Sequence, residues 1–353
     1  MILLSEVIDT FESQLQEQYG DRLLPGHQRA LSAMWHCRTE LSPMMKVKCP
    51  ACEASALLPH SCGHRSCPHC QHYQSQCWLE RQQQKLLPVD YFMITFTLPA
   101  QLRSLAWSHQ RLVYDLLFKL SWETLESFGL RDKKLKGQVG ATAVLHTHSR
   151  KLDYHPHVHM IVPAGALDKT SRLWRKKDGK YLFKQDNLAK VYRAKWLQAL
   201  KENDLTVNAR LPEKWVVDCQ HVGAGKQAII YLGKYLYRGV LSEHNILSIK
   251  DGKVTFRYME NSGISKTRTL PGADFLWLLL QHVLPRGFRR SRDYGFLHGN
   301  SKKLIQLLQL LFHVAVPIIR KTARAGIVCP HCGAEMMIVA TRIMPKHRAM
   351  ASP

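Results

Sequence analysis

Apolar and polar positions along the chain change period several times, and the changes mark out elements. Residues 90–98, Asp90-Tyr-Phe-Met-Ile-Thr-Phe-Thr-Leu98, are β-branched and aromatic, and Pro99 ends them; they predict a strand. From about 101 to 129 apolar residues recur at helical spacing, including Leu105, Leu112, Leu116, Leu120 and Leu125. Residues 138–148 and 155–163 read as two more strands, joined through Ser149-Arg-Lys-Leu-Asp153. A short hairpin signal, Lys177-Asp178-Gly179-Lys180, precedes a helix over about 186–201. Residues 214–222 predict a fourth strand, and a helix runs from about Gly225 to Arg238. The order βαββαβ followed by a helix predicts an α+β fold with a ferredoxin-like, split-βαβ antiparallel sheet, one face of which is open for a site. Beyond Gly239 the pattern predicts a hairpin turning at Asp251-Gly252, a helix starting near Pro271 and another over about 302–317, hence a mainly helical C-terminal region. The expected organisation is three units, 1–88, 89–240 and 241–353.

Charge narrows the partners. The 353 residues carry 50 Lys and Arg against 27 Asp and Glu, a formal net charge of +23, which predicts attraction to polyanions. Nucleic acid and an anionic membrane surface are the two candidates. No run of about 18 apolar residues exists, and the N-terminus lacks the basic start of a signal peptide, so a cytoplasmic chain with no membrane partner is expected. In a reducing compartment the 10 cysteines read as metal ligands rather than disulfides. Cys49-Pro-Ala-Cys52 and Cys67-Pro-His-Cys70, two knuckles 14 residues apart, predict a tetrahedral structural Zn²⁺ site in a region with few apolar residues of its own. Cys37, Cys62, His60 and His64 could build a second site or substitute in the first. Cys329 and Cys332 could be half of a site completed from elsewhere, or a knuckle that stays empty.

Two further patterns carry chemistry. His155-Pro-His157-Val-His159 places three histidines on one strand face by the period of two, and two imidazoles so placed can hold a divalent ion against a phosphate. A hairpin closing through Arg150–Asp153 sets His146 opposite His157 and His148 opposite His155. On the helix from Gly225, Gln227, Tyr231, Lys234, Tyr235 and Arg238 fall within roughly a third of the circumference at about 100° per residue. Ala228, Ile229, Leu232 and Leu236 form a separate apolar arc for packing on the sheet. A phenol can attack phosphorus to give a phosphotyrosine, and Lys234 can stabilise the charge that develops.

Together these residues resemble the His-hydrophobic-His superfamily of single-strand endonucleases, and within it the two-tyrosine transposases of the insertion-sequence ninety-one family. The likeness runs through Cys37-Arg-Thr39, Ser61-Cys-Gly-His-Arg-Ser-Cys-Pro-His-Cys-Gln71, Phe96-Thr-Leu-Pro99, Leu145-His-Thr147, His155–His159, Tyr231-Leu-Gly-Lys-Tyr235, His282-Val-Leu-Pro-Arg-Gly-Phe288 and Tyr294-Gly-Phe296. The resemblance implies a zinc-binding N-terminal domain, a nuclease core using Mg²⁺ or Mn²⁺, single-stranded DNA of element ends and target as substrate, and a 5′-phosphotyrosine intermediate of rolling-circle transposition. It makes His157 and His159 metal ligands and Tyr231 and Tyr235 nucleophiles, with Gln227 or His146 as third ligand. Relatives often carry a bulky residue where this chain has His148, which argues against an essential role there. The basic residues Arg238, Arg286, Arg289, Arg290 and Arg292 are the expected DNA contacts.

Three other readings compete. A nucleotide hydrolase of the histidine-triad type matches His155-x-His157-x-His159, but leaves the tyrosine helix, the knuckles and the charge without a role. A non-catalytic zinc-dependent DNA-binding protein accounts for cysteines and charge alone. A plasmid replication initiator or relaxase shares the nuclease chemistry; the cysteine region and the C-terminal motifs favour the transposase.

Overall fold

The computed structural model describes all residues except 40, 169, 172, 237–239, 261, 315–325 and 345–353, and the side chains of 234–236 are likewise left aside. In chain order the elements are α1 (Leu4–Tyr19), α2 (Pro25–His36), β1 (Met44–Lys48), β2 (Ser55–Pro59), α3 (His72–Gln83), β3 (Tyr91–Thr97), α4 (Arg103–Ser108), α5 (Gln110–Arg131), β4 (Gly140–His148), β5 (Tyr154–Pro163), β6 (Gly165–Asp168) and β7 (Leu173–Lys176). They continue as α6 (Gln185–Glu202), β8 (Val217–His221), α7 (Lys226–Leu236), β9 (Ile246–Lys250), β10 (Lys253–Met259), β11 (Ser265–Pro271), α8 (Gly272–Leu280), β12 (Ser291–Gly295), α9 (Lys302–Leu311), β13 (Ile327–Val328) and β14 (Glu335–Ile343). No helix among the described residues is long and apolar enough to cross a membrane.

The central sheet has five strands in the order β12-β4-β5-β3-β8, and every neighbouring pair is antiparallel. Alternation along each strand divides its side chains between two layers. Phe92, Ile94 and Phe96 of β3, Leu145 of β4 and Val158, Met160 and Val162 of β5 enter a core with α5 and α6, where Val113, Leu117, Phe118, Tyr192 and Trp196 are buried. On the opposite face Tyr91, Val144 and Ile161 meet Ala228, Ile229 and Leu232 of α7 and Trp78 of α3. The strands expected from periodicity are thus present, the fourth beginning at Val217 rather than 214. The long helix expected over 101–129 is broken: α4 ends at Ser108, and His109 (φ −125°, ψ 45°) turns the chain into α5. The hairpin before α6 is β6 with β7, so Lys177–Lys180 follow its second strand instead of forming its turn.

Among its described residues the C-terminal region is not mainly helical. Alongside α8 and α9 it supplies the three-stranded sheet β11-β10-β9, edge strand β12 of the central sheet, and β13 and β14. The expected turn at Asp251-Gly252 joins β9 to β10, but β11 is largely exposed and polar, which hides its period of two. The segment is also not spatially separate. Val7, Ile8 and Phe11 of α1 and Ala30, Leu31 and Met34 of α2 share one core with Val254, Phe256, Phe275 and Leu276. Gly272 fits against α1 because it has no side chain: a Cβ there would lie 2.2 Å from the Phe11 ring. The far C-terminus also returns to the beginning. β14 pairs antiparallel with β1, giving a sheet in the order β13-β14-β1-β2.

Candidate active site and metal clusters

β4 and β5 pair with His146 directly opposite His157, as the hairpin reading expects. A register shift follows, so His148 faces Tyr154 and not His155. His146, His157 and His159 gather on the α7 side of the sheet, each offering a ring nitrogen within 4.8 Å of the others, and they are only 4, 9 and 8 % exposed. His157 Nε2 and His159 Nε2 are 3.1 Å apart.

The outer nitrogens set which ring atom faces inward. His157 Nδ1 lies 2.7 Å from the carbonyl oxygen of His155, a contact only a protonated Nδ1 can make, so Nε2 keeps its lone pair. His159 Nδ1 lies 2.8 Å from Thr95 Oγ1 on β3; in the tautomer that donates to that hydroxyl Nε2 keeps its lone pair, and in the other His159 Nε2 donates to His157 Nε2. In the first tautomer two lone pairs face each other, the arrangement a bound cation would stabilise. Two nitrogens at right angles about one divalent ion, each about 2.1 Å from it, are about 3.0 Å apart. Burial pushes the His146 and His157 imidazoles well below the ordinary histidine range and His159 down to about 4, so all three are neutral ligands at neutral pH. The donor set therefore fits a divalent transition metal.

His155 lies outside this cluster; its Nδ1 accepts a hydrogen bond from Arg103 Nη2 at 2.6 Å. His148 packs against the ring of His282. His282 itself is a buried fastener: Nε2 donates to the carbonyl of Leu152 (2.8 Å) and Nδ1 meets the Thr147 hydroxyl (3.2 Å), tying the β4–β5 turn to the end of α8.

Helix α7 lies across this face. Gly225, in the left-handed region at φ +77°, admits the chain against the Tyr91 ring, where a Cβ would sit 2.7 Å away. Three residues of the predicted arc, Ala228, Ile229 and Leu232, are buried, and the side chain of the fourth, Leu236, lies outside the described residues. Tyr231 stands beside the histidines: its ring centre is 6.4 Å from that of His159, edge to face, and the side chain is 37 % exposed, open to a ligand from solvent. Gln227, one turn earlier, is exposed. The side chains of Lys234 and Tyr235, and all of Arg238, lie outside the described residues.

The cysteines regroup. The two knuckles do not share a site. Cys67 and Cys70 gather with Cys37 and Cys62, and Cys49 and Cys52 gather with Cys329 and Cys332. The reason is the β1–β2 hairpin. Cys49 and Cys52 occupy its tip, whereas Cys37 and Cys62 flank its base, where Met44 pairs with Pro59. A strand of five residues spans about 17 Å, too far for one ion to bridge. In the base cluster the Cys70 sulfur is 3.6 Å from those of Cys37 and Cys62 and accepts a hydrogen bond from Ser61 Oγ at 3.0 Å. Tetrahedral thiolates at about 2.3 Å from zinc are about 3.8 Å apart, so this set fits the ion. His60 and His64 are not among its ligands.

From Cys70 the chain enters α3 directly, and α3 is fastened to the tyrosine helix. Ser75 Oγ donates to the carbonyl of Gly233 at 3.0 Å, and the Trp78 ring lies 3.2 Å from where a Gly233 Cβ would be. Trp78 Nε1 also donates to Ser291 Oγ, and Lys85 pairs with Asp293 at 2.6 Å, both on β12.

The model of a transposase zinc-binding domain matches residues 7–98, and the model described as "Putative transposase" matches residues 140–304. The chain is 32 % identical over 340 residues to "Putative transposase y4qJ" of Sinorhizobium fredii, covering 87 % of this chain and 84 % of that one. It belongs to the insertion-sequence ninety-one family of transposases. A second relative, the transposase for insertion sequence element IS801 of Pseudomonas savastanoi pv. phaseolicola, is 27 % identical over 288 residues, covering 76 % of this chain and 69 % of that protein. No solved structure matches the chain.

In this transposase the four arginines of the 286–292 stretch divide. Arg286 and Arg289 are exposed. Arg290 is turned inward, its Nε donating to the carbonyl of Leu145 at 3.1 Å, and burial lowers it to about 10, still cationic at neutral pH. Arg292 pairs with Asp115 and lies over the Phe118 ring at 4.3 Å. Arg290 and Arg292 are therefore held by the fold more than offered to a ligand. A cavity of about 430 Å³ separates the zinc loop and α3 from the 280s, with Arg65, Arg81, Lys85, Arg289 and Arg290 among its lining. Thr95, the hydroxyl behind His159, was not singled out from the sequence, although its alternation with Ile94 and Phe96 on β3 places it on the histidine face.

Proposed function

We propose that this transposase nicks and rejoins single-stranded DNA at the ends of its element through a tyrosine of α7, with a divalent ion held by His146, His157 and His159. The observation that carries the reading is an exposed phenol, Tyr231, standing at the rim of three clustered neutral imidazoles, two of which, His157 and His159, are held through their outer nitrogens. His146 rather than Gln227 is the third ligand on this reading. The connectivity of β3, α5, β4, β5, α6 and β8, with strand order β8-β3-β5-β4, supports a ferredoxin-like nuclease core.

In the step proposed, the Tyr231 oxygen attacks the scissile phosphorus, a phosphotyrosine bond forms, and the P–O bond to the 3′ oxygen breaks. The phenolic proton is lost to solvent and the departing 3′ oxygen is protonated. The diester energy stays in the tyrosine linkage, so a 3′ hydroxyl can reverse the step without ATP. The bound ion, Mg²⁺ or Mn²⁺, would polarise the phosphate. An all-imidazole set suits Mn²⁺ better than Mg²⁺, which prefers oxygen. Tyr235, four residues further along the sequence, supplies a second nucleophile for a relay, and Lys234 a cation for the developing charge. The base cluster Cys37–Cys62–Cys67–Cys70 holds a structural zinc ion that shapes the start of α3. Arg81, Arg289 and the neighbouring cations of the cavity guide the strand toward the site.

The test is a covalent adduct. Wild-type protein with single-stranded element ends and Mn²⁺ should give a DNA-linked species whose 5′ phosphate maps to Tyr231 or Tyr235. The Tyr231→Phe, Tyr235→Phe double variant should give none. An adduct on a serine, or cleavage at wild-type rates in excess chelator, would overturn the mechanism.

A further inference from the structure

The tip cluster is a different kind of site from the base cluster, because half of it lies outside the zinc-binding domain matched at residues 7–98. We propose that Cys49, Cys52, Cys329 and Cys332 bind a second zinc ion, which fastens the C-terminal hairpin to the N-terminal one and closes the chain on itself. The inference stands independently of the nuclease reading.

Four observations support it. First, the two halves are built alike. Cys49-Pro-Ala-Cys52 and Cys329-Pro-His-Cys332 each cap a hairpin, β1–β2 and β13–β14. In each, the amide of the first cysteine donates to the carbonyl five residues on, Cys49 to Ala54 and Cys329 to Ala334, both at 2.8 Å. Second, burial repeats in the same way: Cys49 and Cys329 are buried, and Cys52 and Cys332 are exposed. Third, the sulfurs meet crosswise, Cys49 with Cys332 at 3.5 Å and Cys52 with Cys329 at 3.6 Å, and all four lie within 4.8 Å. That is far longer than a disulfide at about 2.05 Å and close to the separation of about 3.8 Å around tetrahedral zinc.

Fourth, apart from its ladder with β1 the hairpin is held only by a small core. The β13-β14-β1-β2 sheet has a core of Val47, Cys49, Cys329 and Met336, and two of these four are ligands. Met337, Ile338 and Val339 of β14 are exposed. A hairpin with so small a buried face is marginal by itself. A metal clip across 277 residues, from Cys52 to Cys329, removes the loop-closure freedom that would otherwise let it detach.

The experiment counts metal and then asks what it holds. Full-length protein purified with reductant should contain two zinc ions per chain. Cys329→Ser/Cys332→Ser should contain one, and Cys62→Ser/Cys67→Ser should retain the other. For a readout that needs no cysteine variant, a protease site is inserted between residues 315 and 325 and cut in the otherwise wild-type chain. The C-terminal fragment should co-elute with the body on size exclusion and leave when a chelator removes one zinc equivalent. A single zinc in the wild type that survives Cys329→Ser/Cys332→Ser would overturn the proposal while leaving the base cluster's zinc intact. So would iron in place of zinc, cysteines recovered as Cys49–Cys332 and Cys52–Cys329 disulfides, or a fragment that stays bound after both ions are gone.

Discussion

Among single residues, those behind the histidines matter as much as the histidines. His157→Ala and His159→Ala each remove a neutral donor, and the loss of phosphate polarisation should cut adduct formation on the order of 100-fold or more while single-strand binding persists. Gel-based adduct assays beside filter binding separate the two effects. Thr95→Val keeps the shape of β3 but leaves His159 Nδ1 without its partner. Such a change should weaken Mn²⁺ binding about 10- to 100-fold, measured by calorimetry, with the fold unchanged. A different histidine gives the molecule an acid limit. His27 lies between the rings of Trp107 and Trp277, its Nδ1 accepts the amide of Leu24, and burial lowers it to about 4. Its unfolded value is 6.5, so between those values the unfolded chain binds more protons. Its contribution is fully present above pH 6.5 and is lost as pH falls toward 4. The melting temperature of His27→Gln should therefore fall less steeply over that window than the wild type's; parallel curves would refute the assignment.

For whole elements, the decisive contact is α3 against α7. Among the contacts between the zinc region and the tyrosine helix, Gly233 packs closest under Trp78, where a Cβ would lie a tight 3.2 Å from the ring. Gly233→Leu overfills this interface, at a cost of about 1–3 kcal/mol, and should push the two helices apart. Adduct formation should drop sharply while zinc content, read by metal analysis, stays at the wild-type level. Pairing it with Trp78→Leu should recover part of the activity, since the smaller ring-site residue vacates volume. If Gly233→Leu leaves adduct formation untouched, α3 does not position the tyrosine helix.

The whole molecule carries +23, and the cations are spread over segments distant in sequence, with Arg65, Arg81 and Lys85 facing Arg289 across one cavity. Binding of single-stranded DNA should fall linearly on a log–log plot against salt. Arg81→Ala and Arg289→Ala should each reduce the slope by about 0.7, the value for one phosphate contact on a single strand. Arg292→Ala should instead lower thermal stability, because it breaks the pair with Asp115 and the stacking on Phe118. A slope unchanged in both Arg81→Ala and Arg289→Ala would place the DNA path elsewhere.

Local chemistry alone determined much of this. Four of the five strands of the central sheet (all but edge strand β12), the His146–His157 register and the buried arc of α7 follow from period and turn position, which depend on near neighbours in the chain. So does the meeting of His157 and His159 on one face, since a strand alternates whatever surrounds it. The tertiary structure decided what distant segments contribute. Cysteine spacing shows that knuckles exist but not which knuckles meet. Five residues of strand carry Cys49 away from Cys67, and a partner 277 residues beyond Cys52 takes the vacant place. Arginines that look alike in sequence became two exposed and two held, because only packing distinguishes a cation facing solvent from one lying over Phe118. Fold class and chemistry are written in local periodicity and residue type; ligand partnership depends on long-range chain closure, which no local pattern encodes.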